Sequence, residues 1–116
     1  MSGRHETHAN TAGLTLKDLL PGVCERVAKA LAKRHVRERV WACGSLQDDR
    51  YCLVADAQVW KIGYFERGNF DLEYETADTD EAVTYFVDWV TRVERRTRRD
   101  AAATKAWLER NGLQRP

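Results

Sequence analysis

The stretch KIGYFERGNFDLEYETADTDEA, Lys61–Ala82, decides the fold. It alternates apolar and acidic residues, turns once and then opens a helix. In its second half Phe70, Leu72 and Tyr74 fall on one side of a pleated strand, and Asp71, Glu73 and Glu75 on the other. A three-residue loop at Arg67, Gly68 and Asn69 would set Tyr64 opposite Leu72, Ile62 opposite Tyr74 and Trp60 opposite Thr76. It would also set Lys61 opposite Glu75, an opposite-charge cross-strand pair. A two-residue loop at Arg67–Gly68 would set Ile62 opposite Glu73 and Trp60 opposite Glu75, mixing apolar and charged sides. The three-residue loop is therefore expected, with Asp71, Glu73 and Glu75 as one acidic row facing away from the core.

Upstream, RVWACGS, RYCLVA and VWKIGYFER are rich in the β-branched and aromatic residues that suit a pleated surface. The linkers LQDD and DAQ read as turns. Four strands with short links imply an antiparallel meander. Before them, Leu16, Leu20, Val23, Val27, Ala30 and Leu31 recur at helical spacing. Thr15 followed by Asp18 offers an N-cap with an acid in the first turn. Pro21 should lie close to that helix start, because deeper in it removes a backbone donor.

Downstream, Asp78 and Glu81 form a capping-box pattern. Ala82, Val83, Phe86, Val87, Val90 and Val93 make the buried stripe of a helix that can run to Gly112, or break near Asp100. The expectation is an α+β domain over 14–116. It has an N-terminal helix, a four-stranded antiparallel meander and one or two C-terminal helices packed on one face of the sheet.

A chain of 116 residues suits one domain. No apolar run reaches the roughly 18 residues of a membrane span. Residues 1–13 are polar, lack the apolar core of a secretion signal and read as a disordered tail, so a cytoplasmic protein is expected. Three cysteines, Cys24, Cys43 and Cys52, without C-x-x-C spacing, argue against a disulfide framework or a zinc site and read as buried thiols. The net charge of +1 hides segregation. Residues 1–40 carry 8 basic and 4 acidic groups, residues 41–90 carry 3 and 11, and residues 91–116 carry 8 and 3. An acidic block thus lies between two basic ones, which bears on partners and association rates rather than on fold.

The residues show no recognised catalytic motif, so an enzyme is not expected. Asp71, Glu73 and Glu75 lie near enough to one another for paired chemistry, but on an open strand face nothing desolvates one of them selectively. His5 and His8 lack the further ligands a metal site needs, and no metal or cofactor is expected. His35 suits the C-terminal end of the first helix dipole. Arg92, Arg95, Arg96 and Arg99 share a helix face that could touch phosphates. No aromatic interleaving accompanies them, so a solvated face is the preferred reading. Asp48, Asp49, Glu66, Asp71, Glu73 and Glu75 are the wet side of a one-faced sheet, a docking surface for a basic partner, or a face covered by the last helix and its arginines.

The segment VWKIGYFERGNF followed by TDEAVTYFVDWV resembles the small immunity proteins of bacterial polymorphic toxin systems. Trp60, Tyr64, Glu66, Arg67, Gly68, Phe70, Glu81, Ala82 and Phe86 carry the resemblance, over about a third of the chain. It implies that the chain binds a cognate protein toxin and blocks it. Toxins that act on nucleic acid or nucleotides often carry basic clefts, which an acidic surface would complement. Asp48, Asp49, Glu66, Asp71, Glu73 and Glu75 would then be the partner-binding residues. The alternatives are a nucleic-acid-binding module using Arg92, Arg95, Arg96 and Arg99, and a homodimer packed through the last helix.

Overall fold

The computed structural model describes residues 15–112. The expected tail at 1–13, with His5 and His8, lies outside the described residues. The chain is α+β: helix α1 (Leu16–Lys33), strands β1 (Trp41–Cys43), β2 (Arg50–Asp56), β3 (Val59–Glu66) and β4 (Asn69–Thr76), then helix α2 (Thr79–Asn111). The strands form one sheet in chain order. Both helices cover the same face of it, where Leu31, Val27, Phe86 and Val90 meet Leu53, Trp60 and Ile62, all buried. Trp60 is fully buried, and its indole N–H is satisfied by donation to the Thr79 hydroxyl at 3.1 Å.

The sheet is mixed, not an antiparallel meander. β1 pairs with β2 in parallel, Trp41 opposite Tyr51 and Cys43 opposite Leu53. Parallel neighbours usually need a crossover of a dozen or more residues. Here β1 is only three residues long, about 10 Å, and the six residues Gly44–Asp49 can return over that distance. The loop starts with Gly44 at φ +93° and is anchored by Gly44 N–H donating to the Leu53 carbonyl. It passes over the sheet face opposite the helices. There the Cys52 thiol is fully buried and donates to the carbonyls of Gln47 and Arg50.

The cysteine expectation also changes. Cys24 on α1 and Cys43 on β1 are joined in a disulfide, and Cys52 alone is a free, buried thiol. Sequence spacing could not show this, because the pairing depends on where α1 lies against the sheet edge. α1 begins as its cap predicts. Thr15 accepts from Asp18 N–H, and the Asp18 carboxylate accepts from Thr15 N–H at 2.8 Å. Pro21 lies inside this helix, not at its start, on an exposed side where its missing donor costs least. The C-terminal end is a Schellman motif. His35 takes a left-handed φ of 60°, its N–H donates to Ala32, and the Val36 N–H donates to Leu31. The buried side chains of Leu31 and Val36 belong to the same core cluster.

α2 is one helix of 33 residues without a break at Asp100, closed by Gly112 at φ 66°. Asp78 caps it by accepting from Glu81 N–H at 2.9 Å. The reciprocal half of the capping box is not made: Asp78 N–H donates to the Thr76 hydroxyl, and the Glu81 carboxylate is engaged elsewhere. The buried stripe of α2 includes Trp89, Thr91 and Glu94 besides the expected positions, whereas Val93 is only half-buried.

Candidate functional site

The acidic residues singled out from the sequence do not form one row. The β3–β4 turn has two central residues, Arg67 (φ 52°) and Gly68 (φ 77°), with Glu66 paired to Asn69. This is the primed hairpin geometry that matches strand twist. The expected three-residue loop is therefore not made. The clash it was meant to avoid is removed by a β-bulge: Ile62 pairs with Tyr74 and Gly63 with Leu72, which leaves Glu73 as the extra residue. Above the bulge the expected pairs Ile62–Tyr74, Lys61–Glu75 and Trp60–Thr76 hold; below it Tyr64 faces Asp71, not Leu72.

The bulge reverses which residues share a face. Glu75 lies with Lys61 on the face opposite the helices, whereas Asp71 lies with Tyr64 on the helix side. Glu73 is turned to α2, where its carboxylate accepts from the Tyr85 hydroxyl at 2.7 Å. Asp48, Asp49 and Glu66 gather at the β3–β4 turn. Asp48 is part of the scaffold, since its carboxylate accepts from Arg67 N–H at 2.7 Å and ties the Gly44–Asp49 loop to that turn.

What the fold does bring together is an acidic surface on β4 and the first turns of α2. Tyr74 and Tyr85 stack with ring centroids 4.1 Å apart and planes within 8° of parallel. The Tyr74 hydroxyl donates to Glu81 at 2.7 Å, and the Thr76 hydroxyl donates to the other oxygen of the same carboxylate at 2.6 Å. Beside the stack lies an open hollow of about 610 Å3 lined by Asp78, Asp80, Glu81, Tyr85, Asp88 and Arg92. Two of these acids are tied to α1, Asp80 to Arg26 at 2.9 Å and Asp88 to Arg34 at 2.7 Å. Tyr85, Asp80 and Asp88 were not singled out from the sequence, and Glu81 only as a capping residue and in the resemblance. The signal was present: Asp78, Glu81, Tyr85, Asp88 and Arg92 step by three and four along one helix face.

The electrostatics follow from these bonds. Donation from Thr76 and then Tyr74 holds the Glu81 carboxyl below its ordinary value. The bond to Glu81 raises the Tyr74 phenol, and the bond to Glu73 raises that of Tyr85. Glu81 is thus an anion at neutral pH and the tyrosines are neutral donors. This arrangement suits recognition of positive charge.

The arginine stripe is partly dispersed. Arg92, Arg95 and Arg99 line a groove of about 380 Å3 with Arg34, Asp88 and Thr91. Arg96 does not line it. Arg98 lies 3.8 Å from the buried Glu94, which also binds Arg37 at 3.2 Å. Among the described residues no group of three or more His, Cys, Asp or Glu is placed to hold a metal ion. No described helix is long and apolar enough to cross a membrane. Comparisons with protein-family models, with curated proteins and with solved structures each return no match.

Proposed function

We propose that this chain is an interaction protein that binds a basic protein partner through the acidic tyrosine surface of β4 and α2. Following the resemblance around Trp60–Phe86, the partner is a cognate bacterial toxin, which the chain neutralises by covering its basic cleft. The observation that carries this reading is the Tyr74–Tyr85 stack held among Glu73, Asp78, Asp80, Glu81 and Asp88. Tyrosines are favoured interface anchors, and these two are ordered before binding, so little conformational freedom is lost on contact. Surrounding acids would steer a basic partner and raise the association rate. Asp71 and Glu73 remain in the proposed interface. Glu75, on the opposite sheet face, leaves it, and so does Asp48, whose carboxylate is spent on the Arg67 backbone.

The test is coexpression with the protein encoded by the neighbouring gene. The reading expects the two to copurify and the chain to relieve growth arrest caused by that protein. A neighbour that neither arrests growth nor copurifies removes the toxin from the proposal. Copurification lost on exchanging Asp71 and Glu73 for lysine supports the surface.

A second reading rests on the groove between α1 and α2, where Arg92, Arg95 and Arg99 make no ion pair among the described residues. Such a groove fits a phosphate backbone. Absence of DNA or RNA retention on filters at low salt dismisses it. Location divides the observations. A cytoplasmic protein is the expectation, but disulfides persist mainly in oxidising compartments, and the Cys24–Cys43 bridge favours one of those.

A further inference from the structure

The sheet face turned away from the helices is not the polar face that a one-sided sheet usually presents. Leu72 is 49% exposed and Leu46, on the returning loop, 45%. Val54, Phe65 and Phe70 beside them are only half-buried. Phe70 lies over Gly63, since a Cβ there would come within 2.7 Å of its ring. A groove of about 390 Å3 runs between the Gly44–Leu46 loop and Val54, Lys61 and Phe70. Charges on this face are Arg50, Asp56, Lys61 and Glu75, with Lys61 already held by Asp56 at 2.8 Å. Asp48 and Glu66 stand exposed at its end.

The other unpartnered surface is the second half of α2. The last buried residue of the helix is Glu94, and every residue from Arg95 to Gly112 is exposed. About 17 residues, roughly 26 Å of helix, therefore project beyond the sheet. The molecule measures 71 × 29 × 19 Å, long in one direction and only two layers thick. This overhang carries Trp107, 47% exposed, and Leu108, 36% exposed, among Ala101, Ala103 and Ala106. Its six basic residues, Arg95, Arg96, Arg98, Arg99, Lys105 and Arg110, outnumber Asp100 and Glu109, for a net +4.

We infer that the chain forms a reciprocal homodimer in which the overhang of each α2 lies across the open sheet face of the other copy. The two surfaces match in chemistry: the Trp107–Leu108 patch of a basic helix meets an apolar sheet face whose border, with Asp48, Asp56, Glu66 and Glu75 against Arg50 and Lys61, is net acidic. They match in size, because four strands spaced about 4.8 Å apart span less than the overhang's length. They also close. With both sheets in one layer and a two-fold axis in that layer, one copy's helices lie above and the other's below. Each overhang then reaches the uncovered face of its neighbour. The contact is isologous and ends at two copies. Pairing the overhangs with each other would set +4 against +4, so that arrangement is disfavoured. The Tyr74–Tyr85 surface lies on the helix side and stays free in this dimer.

Sedimentation of the full chain across micromolar concentrations tests the inference. The expected species has twice the chain mass of 13.4 kDa. Leu72→Lys on the sheet, and Trp107→Glu with Leu108→Glu on the overhang, should each give a monomer with unchanged far-ultraviolet circular dichroism. Leu46→Lys serves if Leu72→Lys disturbs the fold. A monomeric wild type overturns the inference. So does a dimer that survives the sheet substitution, which would place the contact between overhangs, or one that survives the overhang substitution.

Discussion

All four tyrosines of the chain, Tyr51, Tyr64, Tyr74 and Tyr85, are held in the neutral form by the fold. For Tyr51 and Tyr64 the main cause is burial. For Tyr74 and Tyr85 it is donation to Glu81 and Glu73. A phenol raised above its unfolded value of about 10 stabilises the fold fully below that pH. The stability is lost as pH rises through the folded values. Absorbance at the tyrosinate band should therefore show no phenol titrating near its free value, with unfolding accompanying ionisation above it. A group ionising at the free value in the folded chain would mean that the Tyr74 or Tyr85 bond is absent. Glu81 has the opposite sign: its lowered folded value stabilises above the unfolded value of about 4.3, and that share is lost as pH falls through the folded one. Periodicity could place Tyr74 on the core side, but the stack is not local information. It arises because α2 returns Tyr85 over the edge of β4.

The β3–β4 hairpin and the disulfide set most of what the elements do. Gly63 sits at the bulge, where an added Cβ would run into the Asp71 carbonyl and the Phe70 ring. Gly63→Ala should cost about 1–3 kcal/mol in urea unfolding through this overpacking; no loss would argue against the close approach. The Cys24–Cys43 link closes 19 residues. Reduction, or Cys24→Ala with Cys43→Ala, should cost about 3 kcal/mol. Thiol titration of the unfolded, unreduced chain should find one group, Cys52. Alternation in FDLEYET correctly located a strand, and the Ile62–Tyr74 pairing was legible. The bulge was not, because face matching alone has two solutions, a longer loop or an extra residue. Arg67–Gly68 turn geometry selects the second. Likewise RVWACGS reads as a strand, but its parallel pairing depends on how short it is.

At the scale of the whole molecule, charge is sorted more sharply than the linear blocks implied. The acidic block supplies three places: the β3–β4 turn with Asp48, Asp49 and Glu66, the open face with Asp56 and Glu75, and the tyrosine surface on α2. The helix layer, the α+β class and both helix starts could be read from caps and periodicity. Division of the acids could not, because one bulged residue decides it. The central claim is that this division is functional, with Glu73 in the partner interface and Glu75 outside it. Calorimetric titration of the neighbouring-gene protein into Glu73→Lys and Glu75→Lys measures it directly. The account predicts affinity at least tenfold weaker for Glu73→Lys, about 1.4 kcal/mol, and within twofold of wild type for Glu75→Lys. Equal losses in the two variants, or a loss confined to Glu75→Lys, would contradict it.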